Sequence, residues 1–161
     1  MMKFFQKKRS LTAVCDGKCA ELSQMPDEAF ASGMLGQGVA VFPEGNRFYA
    51  PVGGRIESIA ESKHAYTVLS EDGLELLIHI GVDTVELKGE GFTPLVREGQ
   101  TVRAGDPLVD ADLNSIADRG FSTATAVLIT NHETVEITEY RYGKIAGGKD
   151  AMLAYRVIRK G

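Results

Sequence analysis

At 161 residues, 43% apolar and 25% charged, the chain is long enough for one domain with a sizeable core and has the composition of an ordinary globular protein. Its net charge of −4 argues against nucleic acid as a partner, which would favour a basic stripe. No apolar run is long enough to cross a bilayer, and the opening Met1-Met2-Lys3-Phe4-Phe5 turns basic at Lys7-Lys8-Arg9 before an apolar signal core can form.

Residues 1–10 read as a flexible basic-aromatic tail, and residues 11–161 as the single domain. A sharper reading lets Phe4, Phe5 and the basic cluster touch anionic lipid. The string Leu11-Thr12-Ala13-Val14-Cys15-Asp16-Gly17-Lys18-Cys19 has an echo in Phe48-Tyr49-Ala50-Pro51-Val52-Gly53-Gly54-Arg55-Ile56. Each is a short strand, a glycine turn and a basic residue opening a second strand, which suggests two similar β motifs facing each other. Cys15 and Cys19 make no disulfide framework and read as free thiols.

Pro26-Asp27-Glu28-Ala29-Phe30-Ala31 reads as a short helix, with proline in its first turn and acids at its positive end; Gly33, Gly36 and Gly38 then break it. Strands follow at 39–42, 56–60 and 65–69. The next stretch is the one to which the others lead. His79 sits in the apolar run 76–82, interrupted only by Gly81, and Asp83 follows where glycine lets the chain turn away. His64 lies fifteen residues upstream on the preceding strand, and the turn Ser70-Glu71-Asp72-Gly73 would set the two histidines side by side. Alone, a histidine in an apolar strand is more often a satisfied structural residue than a reactive one.

Residues 96–109 read as turn, strand, turn, strand, with Gly99 and Gly105 at the turns. A second short helix runs over 112–119, capped by Asp112 and stopped by Gly120. Strands at 123–130, 134–138 and 153–158 complete the chain. Short, closely spaced strands with one or two short helices predict an all-β sandwich or barrel.

The string His79-Ile80-Gly81-Val82-Asp83-Thr84-Val85, followed by Leu87-x-Gly89-x-Gly91-Phe92, resembles the active-site signature of the glucose family of enzyme IIA. These are phosphoryl carriers of the bacterial phosphoenolpyruvate-dependent sugar phosphotransferase system. The resemblance continues in Pro26-Asp27-x-x-Phe30-Ala31, Ala50-Pro51-Val52-x-Gly54, His64-Ala65 and Glu98-Gly99-x-x-Val102-x-x-Gly105-Asp106, and spans nearly everything after Ser10. It implies an antiparallel β-sandwich built from a duplicated motif. It implies that His79 accepts phosphate through Nε2 from phospho-HPr and passes it to a cysteine of a IIB domain, with His64 against the acceptor. Asp83 and Asp27 match carboxylates near the site, and Phe30 an apolar residue of the docking face. Ser62 stands where the family usually has threonine, and Gly53 where it usually has a polar residue. His132 belongs to no motif of the family.

The chemistry suits these residues. A relay needs a nucleophile that is neutral near pH 7 and also leaves readily, and imidazole does both. One ring nitrogen must be tied so that the other faces out, and a backbone carbonyl near Gly81 is a plausible tie. A second imidazole would donate to phosphate oxygens, with the Ser62 hydroxyl behind it. The same reading expects a monomer with no resident cofactor, cytoplasmic and meeting a sugar permease at the inner face of the membrane, with room for regulatory targets. Zinc at His64 and His79 would be adventitious or completed by a partner's carboxylate. Two rivals fail on residue inventory. A zinc hydrolase of the lysostaphin type needs a His-x-His pair that the chain lacks, and a biotinyl or lipoyl carrier needs a modified lysine with no counterpart here.

Overall fold

Alternation along each strand decides which side faces the core. In the strand Glu75–Ile80, the side chains of Leu76, Ile78 and Ile80 are fully buried, while Glu75, Leu77 and His79 point the other way. The computed structural model describes residues 3–5 and 7–160. Its strands are β1 (Lys3–Phe5), β2 (Arg9–Thr12), β3 (Gly17–Glu21), β4 (Gln37–Pro43), β5 (Arg47–Tyr49), β6 (Gly54–Ile59), β7 (Ala65–Ser70), β8 (Glu75–Ile80), β9 (Phe92–Pro94), β10 (Thr101–Val102), β11 (Pro107–Ala111), β12 (Thr125–Ile129), β13 (Val135–Tyr140), β14 (Gly143–Ile145) and β15 (Ala151–Lys160). Two short helices, α1 (Glu28–Ala31) and α2 (Leu113–Asp118), are each capped by the preceding aspartate: Asp27 accepts from the Ala29 amide at 2.9 Å, Asp112 from the Ser115 amide at 3.1 Å.

Every strand pairing is antiparallel. The main sheet runs β10-β6-β7-β8-β12-β4-β3-β14; a second holds β5-β11-β9; a third is built on β15, with β13 along one edge and β2 and β1 in succession along the other. Its main core joins the inner faces of β4, β8 and β12 to Leu11, Phe48, Leu108, Val109, Leu153 and Tyr155. A smaller core covers the outer face, where Met25 and Phe30 pack on Ala40, Ala126 and Leu128. The all-β sandwich with two short helices is thus as expected.

The internal echo is visible in the hydrogen bonds. Thr12 donates to the Pro51 carbonyl and Tyr49 to the Val14 carbonyl, at 2.8 and 2.7 Å. Ala13 donates to Asp150 and accepts from Gly148, just as Ala50 donates to Asp106 and accepts from Gly105. Gly17 and Gly54 occupy equivalent register positions, and a Cβ at either would overlap the carbonyl of the next strand, Phe42 or Leu69. Exchanging the halves carries β6-β7-β8 onto β3-β4-β12 within the main sheet.

The start of the chain differs from expectation. Arg9 and Ser10, placed in the tail by the sequence, belong to β2, and Lys3–Phe5 pair with the end of β15. The reason lies in β15, a ten-residue strand whose second edge offers backbone groups that the opening residues satisfy. Arg9 reaches Asp72 at 3.5 Å, and Tyr155 donates to the same carboxylate at 3.0 Å. Met1, Met2 and Gln6 lie outside the described residues. Cys15 and Cys19 are free and fully buried, and burial pushes both thiols up, that of Cys19 to about 11.

Candidate active site

β7 and β8 are neighbours, with Ala65 opposite His79. The Ile80 amide donates to the His64 carbonyl at 2.8 Å, so the ladder runs one residue past β7 and holds both histidine backbones. Their rings meet edge to face, 4.8 Å between centroids and 83° between planes. Phe30, delivered by α1, tilts against His79 at 4.8 Å, and Phe92 stands 6.5 Å from His64.

His79 Nδ1 donates to the Gly81 carbonyl at 2.9 Å. A carbonyl can only accept, so this bond selects the Nδ1–H tautomer and leaves Nε2 as a free lone pair. The carbonyl is offered by a tight corner. Gly81 has a φ of +80°, and a side chain there would meet Thr84 and the Ser122 carbonyl, the latter at 2.8 Å. Val82 donates to that same Ser122 carbonyl at 3.1 Å, and Asp83 continues the corner with a φ of +59° before the single 3-10 turn Thr84–Leu87.

Burial of the ring lowers the His79 pKa; the Gly81 carbonyl, Asp27 and Asp83 pull it back up in part. His64 is only 6% exposed, and burial followed by the neighbouring His79 pushes its pKa down to about 4. The Ser62 backbone counters this weakly, yet it does not reach hydrogen-bond geometry, and His64 Nδ1 is buried without a partner. Both rings are therefore neutral at pH 7. An unpartnered lone pair is tolerated better in the interior than an unpartnered N–H, so the proton of His64 belongs on Nε2.

The structure thus brings His79, His64, Phe30, Asp27 and Asp83 together. It does not bring the Ser62 hydroxyl to His64: no hydrogen bond joins them, because Ser62 sits in the turn ahead of β7 and the inner edge of the imidazole faces the core. His132 lies in a short turn after β12, beyond the Leu76 end of β8 and away from His79. Sequence reasoning gave no role to Phe92, Thr84 or Ser122. Ser122 is distant in the chain and has no local signal; Phe92 and Thr84 lie in the signature stretch, but nothing in their residue type announces a contact with the histidines or their corner.

Met34 and Leu35, just past α1, and Val85, just past Asp83, are exposed apolar side chains on the segments that build the site. The larger cavities lie elsewhere, one of 520 Å³ beside Arg47 and Asp110 and one of 550 Å³ beside Asp16 and Glu44. Neither cavity is lined by His79. Among the described residues no group of three or more His, Cys, Asp or Glu side chains is arranged to hold a metal ion, so a zinc at the pair would draw two ligands from this chain.

An antiparallel sandwich thus presents one imidazole of fixed tautomer beside a second, an arrangement that can accept and release a group at Nε2. The family model described as phosphoenolpyruvate-dependent sugar phosphotransferase system, EIIA 1, matches residues 9–135, and the chain belongs to that family. It is 39% identical over 140 residues to the glucose-specific EIIA component of Haemophilus influenzae, covering 87% of this chain and 84% of that one. A glucose-specific EIICBA component of Streptococcus pneumoniae is 46% identical over 124 residues, 77% of this chain but 17% of that longer protein. The solved structure of glucose permease IIA from Mycoplasma capricolum superposes with a TM-score of 0.88 at 38% identity, covering 95% of this chain and 99% of that one. No helix in the described residues is long and apolar enough to cross a membrane.

Proposed function

We propose that His79 receives a phosphoryl group from phospho-HPr and delivers it to a cysteine of a IIB domain, without a resident cofactor, at the cytoplasmic face of a sugar permease. The observation that carries this reading is the 2.9 Å bond from His79 Nδ1 to the Gly81 carbonyl, which leaves a neutral, correctly oriented Nε2 beside a second imidazole. The Nε2 lone pair attacks phosphorus as the P–N bond to the donor imidazole breaks. The proton stays on Nδ1, donated to the Gly81 carbonyl, throughout. In the second step a cysteine thiolate attacks phosphorus, an S–P bond forms, and His79 departs as the neutral imidazole. His64, neutral with its proton on Nε2, donates to the equatorial oxygens of the loose transition state. Phe30 and Phe92 exclude the water that would hydrolyse the intermediate. The EIICBA relative, named for A, B and C parts in one chain, supports a IIB acceptor. Apolar Met34, Leu35 and Val85 beside Asp27 and Asp83 suit a docking face with an acidic rim, which a stable dimer through that face would block. The test is incubation with phosphoenolpyruvate, enzyme I and HPr followed by intact mass measurement. One acid-labile phosphate, absent from His79→Gln, is expected; no gain in the wild-type chain would refute the reading.

A further inference from the structure

We infer that Thr84 is a positioning residue for the acceptor: its hydroxyl and methyl hold the corner whose Gly81 carbonyl sets the tautomer of His79. The inference rests on His79 being the acceptor and adds what keeps it ready.

Thr84 is fully buried, one of only a few polar side chains in that state. Its hydroxyl donates to the carbonyl of Ile80, four residues back, so the side chain closes the loop 80–84 upon itself. Its Cγ2 lies where a side chain of residue 81 would stand, and so fills the space that glycine leaves under the corner. The Gly81 peptide is pinned from three sides: the Thr84 bond to Ile80 before it, the Val82 bond to Ser122 after it, and the Thr84 methyl beneath. Gly81 at φ +80° adopts its conformation freely and Asp83 at φ +59° tolerates its own, so the backbone angles alone do not hold the Gly81 carbonyl in one orientation and the contacts of Thr84 are needed.

The consequence for chemistry follows from a single acceptor. Neutral imidazole in water carries its proton on either nitrogen, and the 2.9 Å contact to Gly81 selects Nδ1 here. If that carbonyl swings away, the proton redistributes to Nε2, and the nitrogen that must attack phosphorus is blocked. Thr84 touches neither phosphorus nor the imidazole, so it acts wholly through the orientation of Gly81.

Two variants separate its two groups. Thr84→Val keeps volume and methyl but removes the hydroxyl; Thr84→Ser keeps the hydroxyl and removes the methyl. Nitrogen-15 NMR of the unphosphorylated protein reads the protonation of each ring nitrogen of His79 directly, with no donor present. Thr84→Val is expected to raise the Nε2–H population and to slow phosphoryl acceptance at least tenfold, with the HPr concentration for half-maximal rate little changed. Thr84→Ser is expected to keep Nδ1–H the major tautomer, with a loss of rate smaller than that of Thr84→Val. A folded Thr84→Val, shown by thermal unfolding and an unaltered amide spectrum, that keeps a pure Nδ1–H tautomer would overturn the inference. A change of tautomer without loss of rate would overturn it equally. Failure of the wild-type chain to accept phosphate would instead count against the acceptor reading and leave the tautomer result standing on its own.

Discussion

The two histidines share a hairpin and yet meet different environments, and the roles proposed for them divide accordingly. His79 has its Nδ1 satisfied and Nε2 free, whereas His64 is 6% exposed with an unpartnered Nδ1. His79→Gln removes the nucleophile and is expected to abolish acceptance. His64→Gln keeps an amide donor, so acceptance persists, while onward transfer to the IIB cysteine falls about a hundredfold to a thousandfold, the usual cost of a weakened donor at developing negative charge. Rapid-quench measurement of both half-reactions checks the division; a His64 variant blind to donor with an active His79 variant would reverse it. The buried ring also leaves a mark on stability. Unfolded, His64 takes its proton near pH 6.5, and folded near 4, so between these values the unfolded state binds more protons and stability falls as the pH falls. Each tenfold change in proton affinity is worth about 1.4 kcal/mol. Urea unfolding of the wild-type chain should therefore lose more stability between pH 7 and pH 5 than His64→Gln does, and parallel losses would show that the imidazole takes no part.

Of the elements, α1 has the largest part in the site for its size. Four residues long, it brings Phe30 to His79 and is capped by Asp27, whose charge also raises the His79 pKa. The two duties of Asp27 can be parted. Asp27→Asn keeps a good cap and removes the charge; Asp27→Ala removes both. The first should leave stability within a few tenths of a kcal/mol and move the acid limb of phosphoryl acceptance to lower pH, since His79 loses a carboxylate that favours its protonated form. The second should cost about 1 kcal/mol in urea unfolding. An acid limb unmoved in Asp27→Asn would mean the carboxylate does not act on the ring. Elements of this kind were readable in the sequence: a proline, acids at the positive end and a glycine stop mark α1, and an apolar run marks β8 with His79 inside it. The three-residue strands β9 and β14 were not, because so short a stretch carries no periodicity and exists only through its partners β11 and β3. The strand character of Arg9 and Ser10 was hidden for the same reason: β15, nearly 150 residues away in sequence, supplies the ladder. Resemblance reached the site more completely than pattern did, though a residue type at a spacing does not show which way the imidazole edge turns, and here no hydrogen bond joins Ser62 to His64.

At the scale of the whole molecule, duplication builds the frame and only one half carries the pair of histidines proposed for the chemistry. Strand β12, which stands for β8 when the halves are exchanged, carries no histidine; Leu128 and Ala126 lie there, buried under Met25 and Phe30. The histidine pair is thus a local departure on a symmetric scaffold, and the carboxylates of Asp27 and Asp83 act on its His79. Under the proposed function the donor is HPr, for which the family resemblance implies basic residues around its own histidine. Encounter between such surfaces is steered by charge, and steering changes the association rate more than the strength of the docked complex. Asp83 is the residue to test, since it adjoins the exposed Val85 and its charge is felt at His79. Asp83→Asn keeps a side chain that tolerates the left-handed conformation of residue 83, so folding is spared while the charge is lost. Phosphoryl acceptance from HPr at low salt should slow several-fold through the second-order rate constant, with the rate at saturating HPr little altered. The gap between variant and wild type should narrow as ionic strength passes about 0.15 M, where screening acts beyond roughly 8 Å. Stopped-flow or quench kinetics over a salt series reads both quantities. A gap that stayed constant across the series would assign Asp83 to the geometry of the corner instead of to encounter.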